Sequence, residues 1–77
     1  MARPRHPMPP DVQAQLVERC VLADYEARPA YQRNDYLGWI AQAKRADTRQ
    51  RRVAQMIEEL DRGGVYMNME HPPSRKH

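Results

Sequence analysis

The side chains with the most chemical potential in this chain are basic. Lys44, Arg45, Arg49, Arg51 and Arg52 crowd the stretch 44–52 with Asp47 as its one acid, and the only tryptophan, Trp39, lies just before them. Guanidinium groups grip carboxylates and phosphates through a planar fork and stack on indole rings. Such a cluster suits recognition of an anion or a protein surface. Covalent chemistry is poorly supplied. The chain has one serine, Ser74, one threonine, Thr48, and one cysteine, Cys20, while His6, His71 and His77 all fall in terminal segments. A nucleophile needs a base held within reach on rigid elements, and the only candidate bases on helices here are carboxylates. His71 and His77 lack metal-ligand spacing. Gly63-Gly64 follows a helical pattern instead of opening one, so it is no phosphate loop. These residues read as a non-enzymatic protein with no catalytic residues, metal ligands or cofactor.

The elements that must position the cluster are helical. Asp11, after Pro9-Pro10, is the expected N-cap of a first helix reaching about Tyr25. Val12, Leu16, Cys20 and Ala23 recur along one face at three- and four-residue spacing, and Val17 and Val21 widen it. Cys20 reads as a small buried hydrophobe. Pro29 disfavours helix at Arg28 and so marks a link from Glu26 to Ala30. A second helix is expected over about Tyr31 to Arg45, with Tyr36, Trp39, Ile40 and Ala43 on its apolar face. Asp47 is the expected cap of a third, Thr48 to Arg62, which the glycine pair ends. Its stripe is Val53, Met56, Ile57 and Leu60, so helices 2 and 3 should form a hairpin. The expected core is Trp39, Ile40, Val53, Ile57 and Leu60, with Leu16 packed against them.

Helical phase separates the arginines. Arg49 falls within about 30° of the centre of the third stripe, which directs it into the seam with helix 2. There it could stack on Trp39 or bind a carbonyl or carboxylate. Arg52 flanks the stripe and Arg51 points to water. One arrangement makes Trp39, Lys44, Arg49 and Arg52 the walls of a small anion pocket; the plainer one is a structural Arg–aromatic or Arg–carboxylate contact. Positive charge in the first turns of helix 3, with Glu58, Glu59 and Asp61 at its end, opposes the macrodipole.

Charge is unevenly placed. The chain carries +3, but four of its thirteen basic residues (Arg3, Arg5, Arg75, Lys76) lie in the tails, leaving nine against ten acids and −1 between Asp11 and Glu70. Residues 1–9 and 71–77 are Pro-rich and polar and are expected to be disordered tails around a domain over 10–70. No apolar run approaches the ~18 residues of a membrane span. The Arg/Pro-rich start, with no hydrophobic stretch after it, does not read as a secretory signal. A lone Cys20 makes no internal disulfide, in keeping with a reducing cytoplasm. Beyond the glycines, Val65 to Met69 alternates, and could fold back across the helices or pair with a second chain.

The run Tyr36-Leu37-x-Trp39-Ile40-x-x-Ala43-Lys44-Arg45-x-x-Thr48-Arg49-x-x-Arg52, then Ile57, Leu60 and Gly63, resembles the YdeI/OmpD-associated (bacteriocin-protection, OmdA-type) family. Pro10-Asp11-Val12, Leu16 and Tyr25 match its weaker N-terminal positions. Tyr31 stands where the family commonly has a serine opening the second helix. Longer members carry another domain before this one, and functions residing there are not carried over. The resemblance implies a small all-helical bacterial module linked to outer-membrane porin and to protection against cationic peptides, with no family-wide catalytic mechanism.

The resulting expectation is an all-α, three-helix domain with a short extended C-terminal arm. Its function reads as a cytoplasmic interaction module of a bacterial stress or envelope-resistance system, with a protein or small anionic ligand as partner. The alternative is a helix-turn-helix nucleic-acid binder presenting Arg49, Gln50, Arg51 and Gln55 to DNA, against which the net negative charge of 11–70 weighs.

Overall fold

A computed structural model describes residues 5–67 and 69, and the backbone of Glu70. Four helices follow in order: α1 (Pro10–Glu18), α2 (Leu22–Glu26), α3 (Ala30–Ala41) and α4 (Ala46–Arg62). A small antiparallel hairpin follows α4, β1 (Val65–Tyr66) against β2 (Met69–Glu70), with Val65 opposite Glu70 and Tyr66 opposite Met69. The fold is all-α apart from that hairpin.

The expected first helix is therefore two. After Glu18, Cys20 takes a left-handed backbone conformation at φ 60. The Cys20 N–H donates to the Val17 carbonyl at 3.1 Å and the Val21 N–H to the Leu16 carbonyl at 2.9 Å. Those two bonds are the Schellman stop, normally built on glycine. Leu16 and Val21, the apolar pair that accompanies such a stop, are both buried in the one core cluster. Cys20 is thus exposed at a corner, not buried on a helix face, and Val17 is 55% exposed. A left-handed conformation costs an L-residue roughly 1–2 kcal/mol, of which glycine's extra unfolded-state entropy returns roughly 0.4–1 kcal/mol. Cys20→Gly should accordingly stabilise the protein by about 0.5–1 kcal/mol, read as a higher urea midpoint at unchanged m.

Other helix ends also differ from expectation. Proline supplies two N-caps, Pro9 for α1 and Pro29 for α3, with no side-chain cap bond. Pro10 sits at N1, where its missing N–H costs nothing, and Asp11 falls in the first turn. α4 begins at Ala46 on Arg45, so Asp47 is inside the helix and pairs with Arg45 at 3.3 Å. α3 ends at Ala41, four residues before Arg45, leaving Ala43 to Arg45 in the turn. Gly63 and Gly64, both near φ 70, end α4 as expected.

The core gathers Val12 and Leu16 of α1, Val21, Tyr25 of α2, Tyr36 and Ile40 of α3, and Val53, Met56, Ile57 and Leu60 of α4. Trp39, expected inside, is only partly buried at its margin, together with Met8, Tyr66 and Met67. The arm has folded back: Tyr66 meets Tyr36 edge-on at 5.4 Å and Tyr31 at 6.1 Å. At the other end, Arg5 to Pro9 does not behave as a free tail. The His6 N–H donates to Asn34 Oδ1 at 2.8 Å. Its ring lies so close to Gly38 that a Cβ there would stand 2.8 Å from Nε2. Residues 1–4 and 71–77, the remainder of the expected tails, lie outside the described residues.

Candidate functional site

Of the four residues expected to wall a pocket, two meet. Arg52, one turn before Met56 on α4, places its guanidinium 5.2 Å from the centre of the Trp39 ring. Its Nη1 donates to the Trp39 carbonyl at 2.7 Å. This carbonyl lies in the last turn of α3, where no intrahelical N–H follows to satisfy it, so Arg52 acts as a C-terminal cap as well as a cation on an indole. Lys44 and Arg45 are exposed in the adjoining turn.

Arg49 does not enter the α3–α4 seam. It reaches α1 instead, donating through Nη1 and Nη2 to the two oxygens of Asp11 at 2.6 and 3.0 Å. Helical phase directed Arg49 toward α3, but it could not say that α1 lies on that side, and the side chain stays about a third exposed there. Arg52 has taken the partner expected for Arg49. The Arg49 fork holds the Asp11 carboxyl below its ordinary value, chiefly through its hydrogen bond. A depressed carboxylate contributes stability above its unfolded pKa and loses it as pH falls through the folded one. Arg49→Ala should therefore lower the thermal midpoint at pH 7, and the gap to wild type should narrow and close as pH falls below the ordinary carboxylate range. Because the pair is solvent-exposed, the loss should be small beside that of any core truncation. Arg51→Ala, on the exposed face, should leave the midpoint unchanged at both pH values.

The DNA-facing set fares similarly. Gln50 Nε2 donates to Gln15 Oε1 on α1 at 2.9 Å, and Gln55 Nε2 to Glu59 Oε2 at 3.0 Å. With Arg49 held by Asp11, Arg51 alone of the four stands exposed without a protein partner among the described residues. α1 lies along the face that would have to enter a groove.

A second polar constellation had no counterpart in the sequence reading. Glu59 is 3% exposed, and Arg28 and Gln32 are 4% and 0%. The Tyr36 hydroxyl and the Met67 N–H both donate to Glu59 Oε1, the latter at 2.8 Å. Arg28 donates to the Glu59 carbonyl and to Gln32 Oε1, each at 3.2 Å. Burial and the Glu59 carboxylate together drive the Tyr36 phenol far above its ordinary value. Nearby, Tyr66 donates to Asp35 Oδ2 at 2.7 Å. Sequence offered one faint signal: Glu59 flanks the Met56–Ile57–Leu60 stripe, where a purely solvated acid has no advantage. The constellation is a fastening between the α2–α3 link, α3, α4 and the hairpin.

A model of the OmdA family, described as bacteriocin-protection, YdeI or OmpD-associated, matches residues 6–63. The chain belongs to that family. The match spans α1 to the end of α4 and includes the docked His6, leaving the hairpin outside. Comparison with curated proteins and with solved structures gives no match. Membership of the OmdA family suggests a bacterial role associated with bacteriocin protection. No helix among the described residues is long and apolar enough to cross a membrane.

Proposed function

We propose that this chain is a non-enzymatic interaction module of a bacterial resistance system directed against cationic peptides, acting in the cytoplasm. It offers the Trp39–Arg52 edge, with Lys44 beside it, to an acidic protein partner. The observation that carries this reading is the Arg52 guanidinium fixed over a half-buried Trp39 and bonded to its carbonyl. Tryptophan and arginine dominate the energetics of protein interfaces. A pair already locked in place loses little side-chain freedom on binding. Lys44 and Arg45 add positive charge that would steer an acidic surface toward it.

The test uses a bacterium in which the gene is replaced by Arg52→Glu or Trp39→Ala, with circular dichroism on both purified variants. The reading expects either variant to lose protection against a cationic peptide to the extent of a deletion strain while keeping its helicity. Full protection by a folded Arg52→Glu protein would overturn it.

A further inference from the structure

At the N-terminal end of α3 a cavity of about 140 Å³ is lined by Arg5, His6, Tyr25, Arg33, Asn34 and Leu37, with Ala30 at its edge. It continues past Arg5 and Asn34 into an open depression beside Tyr31. Two guanidinium groups and an imidazole thus face one small space, and no carboxylate is among the described residues that line it. The Nε–H of Arg33 is closed off from solvent and donates to no protein acceptor among the described residues. Arg33 lines the cavity, and buried donors are overwhelmingly paired in folded proteins, so its unmet Nε–H favours an acceptor close to that side chain. The backbone adds to that preference. The first N–H groups of a helix have no acceptor within it, and Pro29 caps α3 without a side-chain acceptor. The helix dipole favours negative charge at the same end.

We propose that this cavity binds a small oxyanion, the phosphate or carboxylate group of a ligand, between Arg5 and Arg33 at the start of α3. The size sets the class. Pockets for drug-sized molecules run from about 300 Å³ upward, so this one admits a single charged group, with any remainder of the ligand lying over Tyr31. The docking of the N-terminal arm follows from the same arrangement: the His6 N–H bond to Asn34 and the close approach of its ring to Gly38 bring Arg5 to the cavity mouth. The site is separate from the Trp39–Arg52 edge, and the two readings stand or fall independently.

The experiment is a nitrogen-15 NMR titration of the full chain with inorganic phosphate, and separately with acetate, at ionic strength held constant with chloride. Constant ionic strength matters because it keeps the screening of the surface charges fixed through the titration. Saturable shifts of the Ala30 and Tyr31 amides and of the Arg33 Nε–H signal are expected with at least one of the anions. Saturation by phosphate alone assigns a phosphate group, and by acetate alone a carboxylate. Arg33→Gln and Arg5→Gln should each weaken binding about tenfold or more, the effect of losing one charge-assisted hydrogen bond. Arg51→Gln, exposed on α4, should leave it unchanged. Arg5 lies outside every helix, so Arg5→Gln decides the matter even if Arg33→Gln does not fold. Shifts that rise linearly without saturation for both anions, or saturation unaltered in Arg5→Gln, would overturn the proposal.

Discussion

Glu59→Ala should cost about 3–5 kcal/mol, the usual penalty for removing one member of a buried charged network. A domain of this length has roughly 4–12 kcal/mol in total, so the variant should be marginally folded or unfolded at 25 °C. Three donors lose their acceptor at once: the Tyr36 hydroxyl, the Met67 N–H and the Gln55 amide. The Arg28 guanidinium, 4% exposed, keeps the residue-59 carbonyl but loses the buried carboxylate on the same residue. Tyr36→Phe should cost less, about 1–2 kcal/mol, because Glu59 retains two other donors. Urea denaturation of both single variants and the double variant measures the coupling; independent, additive losses would show that no network exists. The phenols set an alkaline limit as well. A tyrosine whose folded pKa is raised contributes stability fully below its unfolded pKa of 10.0 and loses it as pH climbs above. Tyr36 and Tyr25 are both raised, principally by burial. Stability should therefore fall above pH 10, less steeply in Tyr36→Phe.

Leu60→Ala should cost about 2–5 kcal/mol. Leu60 is 1% exposed in the cluster that joins Leu16, Ile40, Val53 and Ile57. It occupies the last full turn of α4, immediately before the glycine stop, so truncation opens a cavity where the hairpin must fold back. Differential scanning calorimetry on Leu60→Ala and the exposed control Val17→Ala separates core loss from a general effect of alanine. Equal melting temperatures for the two would refute the packing described.

Apolar periodicity made most of this fold legible. The stripe Val53, Met56, Ile57, Leu60 and the face Val12, Leu16 lie in the core as their spacing requires. What it could not convey was the stop at Cys20. A Schellman turn normally announces itself with glycine; here a cysteine takes the left-handed position, and the apolar face runs unbroken through it. The early end of α3 was hidden differently, because Ala43, Lys44 and Arg45 are all competent helix formers and the capping group, Arg52, comes from another helix. Site geometry was legible only in part. Phase pointed Arg49 toward α3, yet its partner is Asp11 at a partly exposed edge, a choice that depends on where α1 lies, which one helix's periodicity cannot encode. Glu59 and Arg28 escaped notice because isolated charged residues read as solvated by default.

The bond from the Met67 N–H to the Glu59 carboxylate gives the C-terminal hairpin an unusual hydrogen-exchange signature. Amides near a chain end ordinarily exchange through fraying, at opening free energies close to zero. The Met67 amide is tied to a carboxylate that also holds Tyr36 in the middle of the core. Exchange there requires that this bond break, so the hairpin must first leave Glu59. Its protection factor should therefore report how firmly the hairpin is docked on α4, from a position beyond that helix, and Glu59→Gln should lower it before any change in the protection of α4 itself.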